Sequence, residues 1–103
     1  YFRYPLPAWF YKLKLDLAGA SPEQAIVSEL QAEPWVPNGT LDNITFDEYD
    51  KSFSPEQFKA NLQFAINVDF KQTYLWGIEW WYLQKEKGDT RYWDIARDIF
   101  ARQ

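Results

Sequence analysis

The chain of 103 residues has no cysteine and no histidine. That removes disulfide bonds, cysteine nucleophiles, zinc sites of the usual ligand set and histidine-based triads in one step. Positive charge is scarce too, with 11 Lys and Arg against 15 Asp and Glu and a net charge of −4. The basic residues are scattered, which argues against nucleic acid, whose binding rests on clustered cations meeting phosphates. No uncharged apolar run approaches membrane-spanning length. What remains is carboxylate chemistry, or none. What is abundant is the aromatic ring: 6 Trp, 7 Tyr and 8 Phe. Aromatics anchor cores, and they also line sites that stack on flat or ring-shaped ligands.

Length and apolar content fit one packed domain. After the proline-rich opening "YFRYPLP", the run "AWFYKLKLDLAG" places Phe10, Leu13 and Leu17 on one helical stripe, flanked by Leu6 and Trp9, and stops near Gly19. "SPEQ" at 21–24 reads as a capping box, but a short β-branched run follows, predicting a buried strand over 25–30. "SPEQ" returns at 54–57, now ahead of a helical stripe of Phe58, Leu62, Ala65 and Ile66. Ser54 is the expected N-cap, Pro55 the first helical residue and Gln57 the reciprocal partner. A long polar stretch, 34–53, lies between, and carries Asn-x-Thr triplets at Asn38 and Asn43. Its acid-rich "TFDEYDKSF" reads as a solvated loop, since the spacing does not match a calcium loop. No metal site and no cofactor site is expected. "TYLWGIEWWYL" predicts a second strand over 73–79, "QKEKGDT" a charged loop, and Tyr92, Ile95, Ala96, Ile99 and Phe100 a last helix capped by Asp89 or Thr90.

Strands alternating with amphipathic helices imply an α/β fold with parallel strands. Two strands alone leave unpaired edges, so the chain reads as a piece of a larger α/β protein. It opens on Tyr1 where an initiator Met would stand, so an upstream part is expected. Sites in such folds form beyond the carboxyl ends of the strands. Glu29, Glu33, Trp35, Glu79, Trp80 and Trp81 would gather there around one cleft. Acids flanked by indoles suit carbohydrate: C–H faces stack on the rings, and hydroxyls bond to the carboxylates. Hydrolysis of a glycosidic bond needs two carboxyl groups in different protonation states.

"IVSELQAEPW" and "TYLWGIEWWYL" resemble the last strands of (β/α)8-barrel glycoside hydrolases of the large retaining clan that includes cellulases, xylanases and β-galactosidases. The resemblance covers most of the chain, as helix six, strand seven, helix seven, strand eight and helix eight of a TIM barrel. It implies that Glu29, in "IVSEL", is the nucleophile, and that Trp76, Trp80 or Trp81, with Trp80 first by position, floors a sugar subsite. It further implies substrate-binding roles for Trp80, Trp35, Glu33, Glu79 and Gln31. The clan's acid/base glutamate would lie upstream of Tyr1, and Tyr1 or Tyr4 could take the place of the residue that orients the nucleophile. Expected partners are a carbohydrate substrate and the remainder of the chain's own barrel. An extracellular or membrane-associated bacterial setting is favoured over a cytoplasmic one.

Other readings of the same residues stay open. Glu29 could be a structural acid paired with Arg3. Glu79 could be buried between sheet and helices. Trp9, Trp93 and most Phe residues fall on helical stripes and are expected in the core. The whole could be a carbohydrate-binding barrel without turnover, or a small α/β interaction domain with aromatics at its interface.

Overall fold

The computed structural model describes residues 6–35, 40 and 43–102. The expectations for Tyr1, Arg3, Tyr4 and Asn38 lie outside these. The order is α1 (Ala8–Leu17), a 3-10 turn (Pro22–Gln24), β1 (Ile26–Gln31), α2 (Phe46–Ser52), α3 (Pro55–Val68), β2 (Gln72–Trp76), α4 (Ile78–Glu86) and α5 (Arg91–Phe100). β1 and β2 pair in parallel, joined through α2 and α3. The fold is mixed α/β, as the alternation of patterns implied.

The two "SPEQ" segments part ways. At the first, the Ser21 amide donates to Gln24 Oε1 (2.8 Å), and only one 3-10 turn follows before the β-branched run takes over. At the second, Ser54 Oγ accepts from the Gln57 amide (3.2 Å), with Pro55 at the first helical position, and fourteen residues of helix follow. The Gln57 side chain is not the reciprocal cap. It donates to Asn61 Oδ1 (2.8 Å) one turn further on.

Three element assignments change. The polar stretch 34–53 contains a helix, α2, entered through Thr45, whose amide and hydroxyl both donate to Glu48 Oε2 (2.9 and 2.7 Å). That contact holds the Glu48 carboxyl below its usual range. β2 ends at Trp76, because Gly77 takes φ +137° and breaks the strand. Ile78–Glu86 is therefore α4, and the charged "QKE" is helical. Trp80 and Trp81 are thus consecutive helical residues, and strand alternation does not apply to them.

The helices cover one face of the sheet. Leu30, Ala32, Tyr49, Phe53, Phe58, Trp80, Trp81 and Tyr92 are buried there. Trp80 and Tyr92 meet edge to face with ring centres 4.5 Å apart, and Tyr49 meets Trp80 at 5.3 Å. The Tyr92 hydroxyl donates to the Phe53 carbonyl (2.6 Å), so the ring's polar tip is satisfied inside the core. Trp9 does not join this core. α1 packs on α3, buries no residue fully, and leaves Trp9 63 % exposed and Leu17 79 % exposed. Trp93 is half-buried against the core's rim.

Arg91 ties α2 to α5. Its guanidinium donates to Asp50 (2.9 Å) and to Asp89 (2.9 Å), and lies 4.3 Å from the centre of the Phe46 ring. Tyr49 donates to Asp89 Oδ2 (2.7 Å), which also accepts from Arg91 Nη2 (2.9 Å). Burial raises the Asp89 carboxyl, but the bonds from Arg91 and Tyr49 outweigh it and hold the group below its ordinary value. A depressed folded value stabilises the native state above the unfolded aspartate value, ~3.9, and the gain is lost as pH falls through the lower folded value. Thermal unfolding across acid pH should show a loss on the order of 1 kcal/mol, since Arg91 is 37 % exposed and water screens it. Asp89→Asn should flatten that part of the profile and lower stability at neutral pH.

Candidate functional site

The segment from Glu29 to Trp35 alternates in burial. Leu30, Ala32 and Pro34 are buried. Glu29 and Trp35 are exposed, and Gln31 and Glu33 are half-buried. A period of two places Leu, Ala and Pro against the helices and sets Glu, Gln, Glu and Trp in a row on the other side. "ELQAEPW" thus alternates in burial as β1, ending at Gln31, runs into a bend at Glu33.

β2 supplies the neighbouring column. Leu30 pairs with Leu75 and Gln31 with Trp76. Paired residues in a sheet share a face, so Gln31 lies beside Trp76, while Glu29 falls in the irregular stretch between Val27 and Leu30 and has no paired residue on β2. Tyr74 and Trp76 are 53 % and 47 % exposed. Trp35 meets Trp76 edge to face at 6.3 Å and 79°. Two indoles thus form a corner at the carboxyl end of the sheet, next to Gln31.

The register contains one irregularity. Val27 pairs with Thr73 and Leu30 with Leu75, so β1 carries one residue more than β2 between these points. The bulge falls at Ser28–Glu29. Bulges interrupt the ladder and re-aim a side chain, and they recur beside functional groups.

A chain leaving a sheet loses its ladder partners, and each buried carbonyl then needs another donor. Here three successive carbonyls find one. Asn61 Nδ2 donates to Gln31 O (2.9 Å), Trp81 Nε1 to Ala32 O (2.6 Å), and Gln31 Nε2 to Glu33 O (2.9 Å). The Ala32 amide donates to Trp76 O (2.9 Å), which extends the pairing past β1. Gly77 completes the fit: a Cβ there would stand 2.9 Å from the Ala32 carbonyl carbon and from Glu33 Cβ. The rim is therefore held from three elements, and its backbone is pre-set.

Electrostatically the rim is acidic. Burial, and then the charge of Glu79, raise the Glu33 carboxyl above its ordinary range. Glu79 stands exposed in the first turn of α4. No ion pair between described residues involves Glu29, Glu33 or Glu79.

Of the six site residues singled out from sequence, Glu29, Gln31, Glu33 and Trp35 form the row, and Glu79 stands near Glu33. Trp80 is the correction. It is 1 % exposed and packed between Tyr49 and Tyr92, because the helix begun after Gly77 turns it into the core. Its ring offers no face to a ligand. Trp76, four residues before Trp80 and the last residue of β2, has the exposed position. Tyr74 and Asn61 were missed. Strand alternation back from Trp76 would have found Tyr74; no local signal marks Asn61.

Among the described residues, no group of three or more acidic side chains is arranged to hold a metal ion, and no helix is long and apolar enough to cross a membrane. Comparison of the chain with models of known protein families, with curated proteins and with solved structures finds no match.

Proposed function

We propose that these residues form the C-terminal part of a (β/α)8-barrel glycoside hydrolase that cleaves O-glycosidic bonds with retention. The observation that carries the reading is the open face at the sheet's carboxyl end: the parallel pairing sets Gln31 beside the exposed Trp76, and Glu29 is exposed two residues before Gln31. This is where α/β folds place their sites. The helices cover one side of the sheet only, while Ile26, Tyr74 and Trp76 are exposed on the other. A barrel interior would occupy that side, and neighbouring strands would pair both free edges.

In this reading Glu29 attacks the anomeric carbon and forms a glycosyl-enzyme ester. A second carboxyl group, upstream in the whole protein, first protonates the departing oxygen and then takes a proton from the water that cleaves the ester. Retention needs those two carboxyl groups about 5–5.5 Å apart. Trp76 takes the stacking role first given to Trp80, and Gln31 and Glu33 bind sugar hydroxyls.

The test is covalent trapping. The intact protein would be incubated with a panel of 2-deoxy-2-fluoro glycosyl fluorides, which form the ester but hydrolyse it slowly, and then digested for mass spectrometry. The adduct is expected on the peptide containing Glu29. A label on a different carboxylate, or products of inverted anomeric configuration from natural substrates, would overturn the assignment.

A further inference from the structure

We propose that α2 is a strap across the aromatic core that opens by itself while the rest of the fold stays closed, with Arg91 as its latch. The inference does not depend on the carbohydrate reading above. α2 has seven residues, and Tyr49 is its one buried member. A helix that short is not stable alone and is held by what it touches. It does not lie along another element in the way that α1 lies on α3 or α4 on α5. Its ties converge on a short stretch, Asp89–Tyr92. Arg91 forks onto both Asp50 oxygens (2.9 and 3.2 Å) and covers the Phe46 ring. Tyr49 donates to Asp89 (2.7 Å), and the Tyr92 hydroxyl lies 3.3 Å from Asp50 Oδ1. Phe46, Asp47, Glu48 and Lys51 are exposed.

The two ends of α2 suit such a movement. The Thr45–Glu48 box is internal to the segment and travels with it. Phe53 marks where opening stops: it is buried, and Tyr92 donates to its carbonyl, so it belongs to the core. What lies beneath favours release. Tyr49 walls Trp80, whose Nε1 is buried without a hydrogen-bond partner among the described residues. An unmet buried donor costs free energy, and lifting Tyr49 uncovers that indole to water. A latch at one place thus opposes a penalty at another, which sets α2 at the low-stability end of the fold. α2 also lies in the connection that leaves β1 at the rim, so its opening reshapes that connection and leaves the sheet paired.

The test is amide hydrogen exchange of the intact protein, read by mass spectrometry at several low urea concentrations. The amides of residues 49–52 should exchange roughly 100-fold or more faster than those of residues 62–68 in α3. Their exchange should hardly respond to urea, because opening a strap exposes little surface, whereas exchange in α3 should accelerate steeply. Arg91→Gln should speed exchange in α2 by roughly tenfold, the scale of a charged hydrogen bond lost. Leu62→Val, a mild change in the buried face of α3, should speed exchange in α3 and leave α2 as it was. Equal protection of α2 and α3, an equally steep urea response, or acceleration of both by Leu62→Val would mean that α2 opens only when the whole fold does. Any of these would overturn the strap, and unchanged exchange of α2 in Arg91→Gln would overturn the latch. The urea series on the unmutated protein decides the first point even where a variant folds poorly.

Discussion

Glu29→Gln in the intact protein is expected to lower kcat by roughly 10³-fold or more, the scale at which loss of a reacting side chain is felt. Glutamine keeps the size and the hydrogen-bonding reach of glutamate, but its amide does not attack an anomeric carbon. Stability should hardly change. Glu29 is exposed and forms no ion pair with another described residue, and surface substitutions of that kind stay within about 0.5 kcal/mol. Sugar affinity should survive within a few fold. Steady-state kinetics and thermal unfolding together decide the matter. Full turnover in the variant would remove Glu29 from the chemistry. A large fall in melting temperature would make it a structural acid.

Trp80→Ala should have the largest effect on stability, a loss of about 3–5 kcal/mol, the usual cost of emptying a large buried aromatic site. Trp80 is 1 % exposed and walled by Tyr49 and Tyr92. Trp80→Phe should cost much less than alanine, for a reason particular to this site. Nε1 of Trp80 is buried and has no hydrogen-bond partner among the described residues, so phenylalanine removes an unsatisfied donor along with part of the ring. Trp76→Ala should show the opposite profile, with stability almost unchanged and sugar affinity reduced, because that ring is 47 % exposed at the indole corner. Denaturant unfolding of the three variants tests the core assignment. Equal destabilisation by Trp76→Ala and Trp80→Ala would contradict it.

The contrast between these two tryptophans marks what the sequence made legible. The helix stripes of α3 and α5, the Ser54 cap and the parallel pairing of two strands were all readable, since each depends on local periodicity or on a rule of connection. The end of β2 was misread because "YLWGIEWWYL" is apolar and aromatic throughout, and residue type alone does not separate strand from buried helix. The deciding residue was Gly77, whose φ of +137° a side chain rarely adopts. α2 was missed for a different reason. Its sequence, "FDEYDKS", is polar, and Tyr49 is its one buried member. The Thr45–Glu48 box was the only local cue, and the helix is fixed in place by Arg91, forty-one residues downstream of Asp50. In the site, the row from Glu29 to Trp35 follows from alternation, but the donors that hold it, Asn61 and Trp81, come from α3 and α4 and become visible only once those elements are packed.

The surplus residue in β1 has a consequence for how the strand can vary. Removing Ser28 from the alignment of the two strands would leave Val27, Leu30 and their partners in an unbroken ladder, with every downstream side chain on its present side. The sheet itself therefore gains nothing from the insertion. What the insertion changes is local: two residues, Ser28 and Glu29, stand against one on β2, so the carboxylate is carried on the single stretch of β1 that the ladder does not dictate.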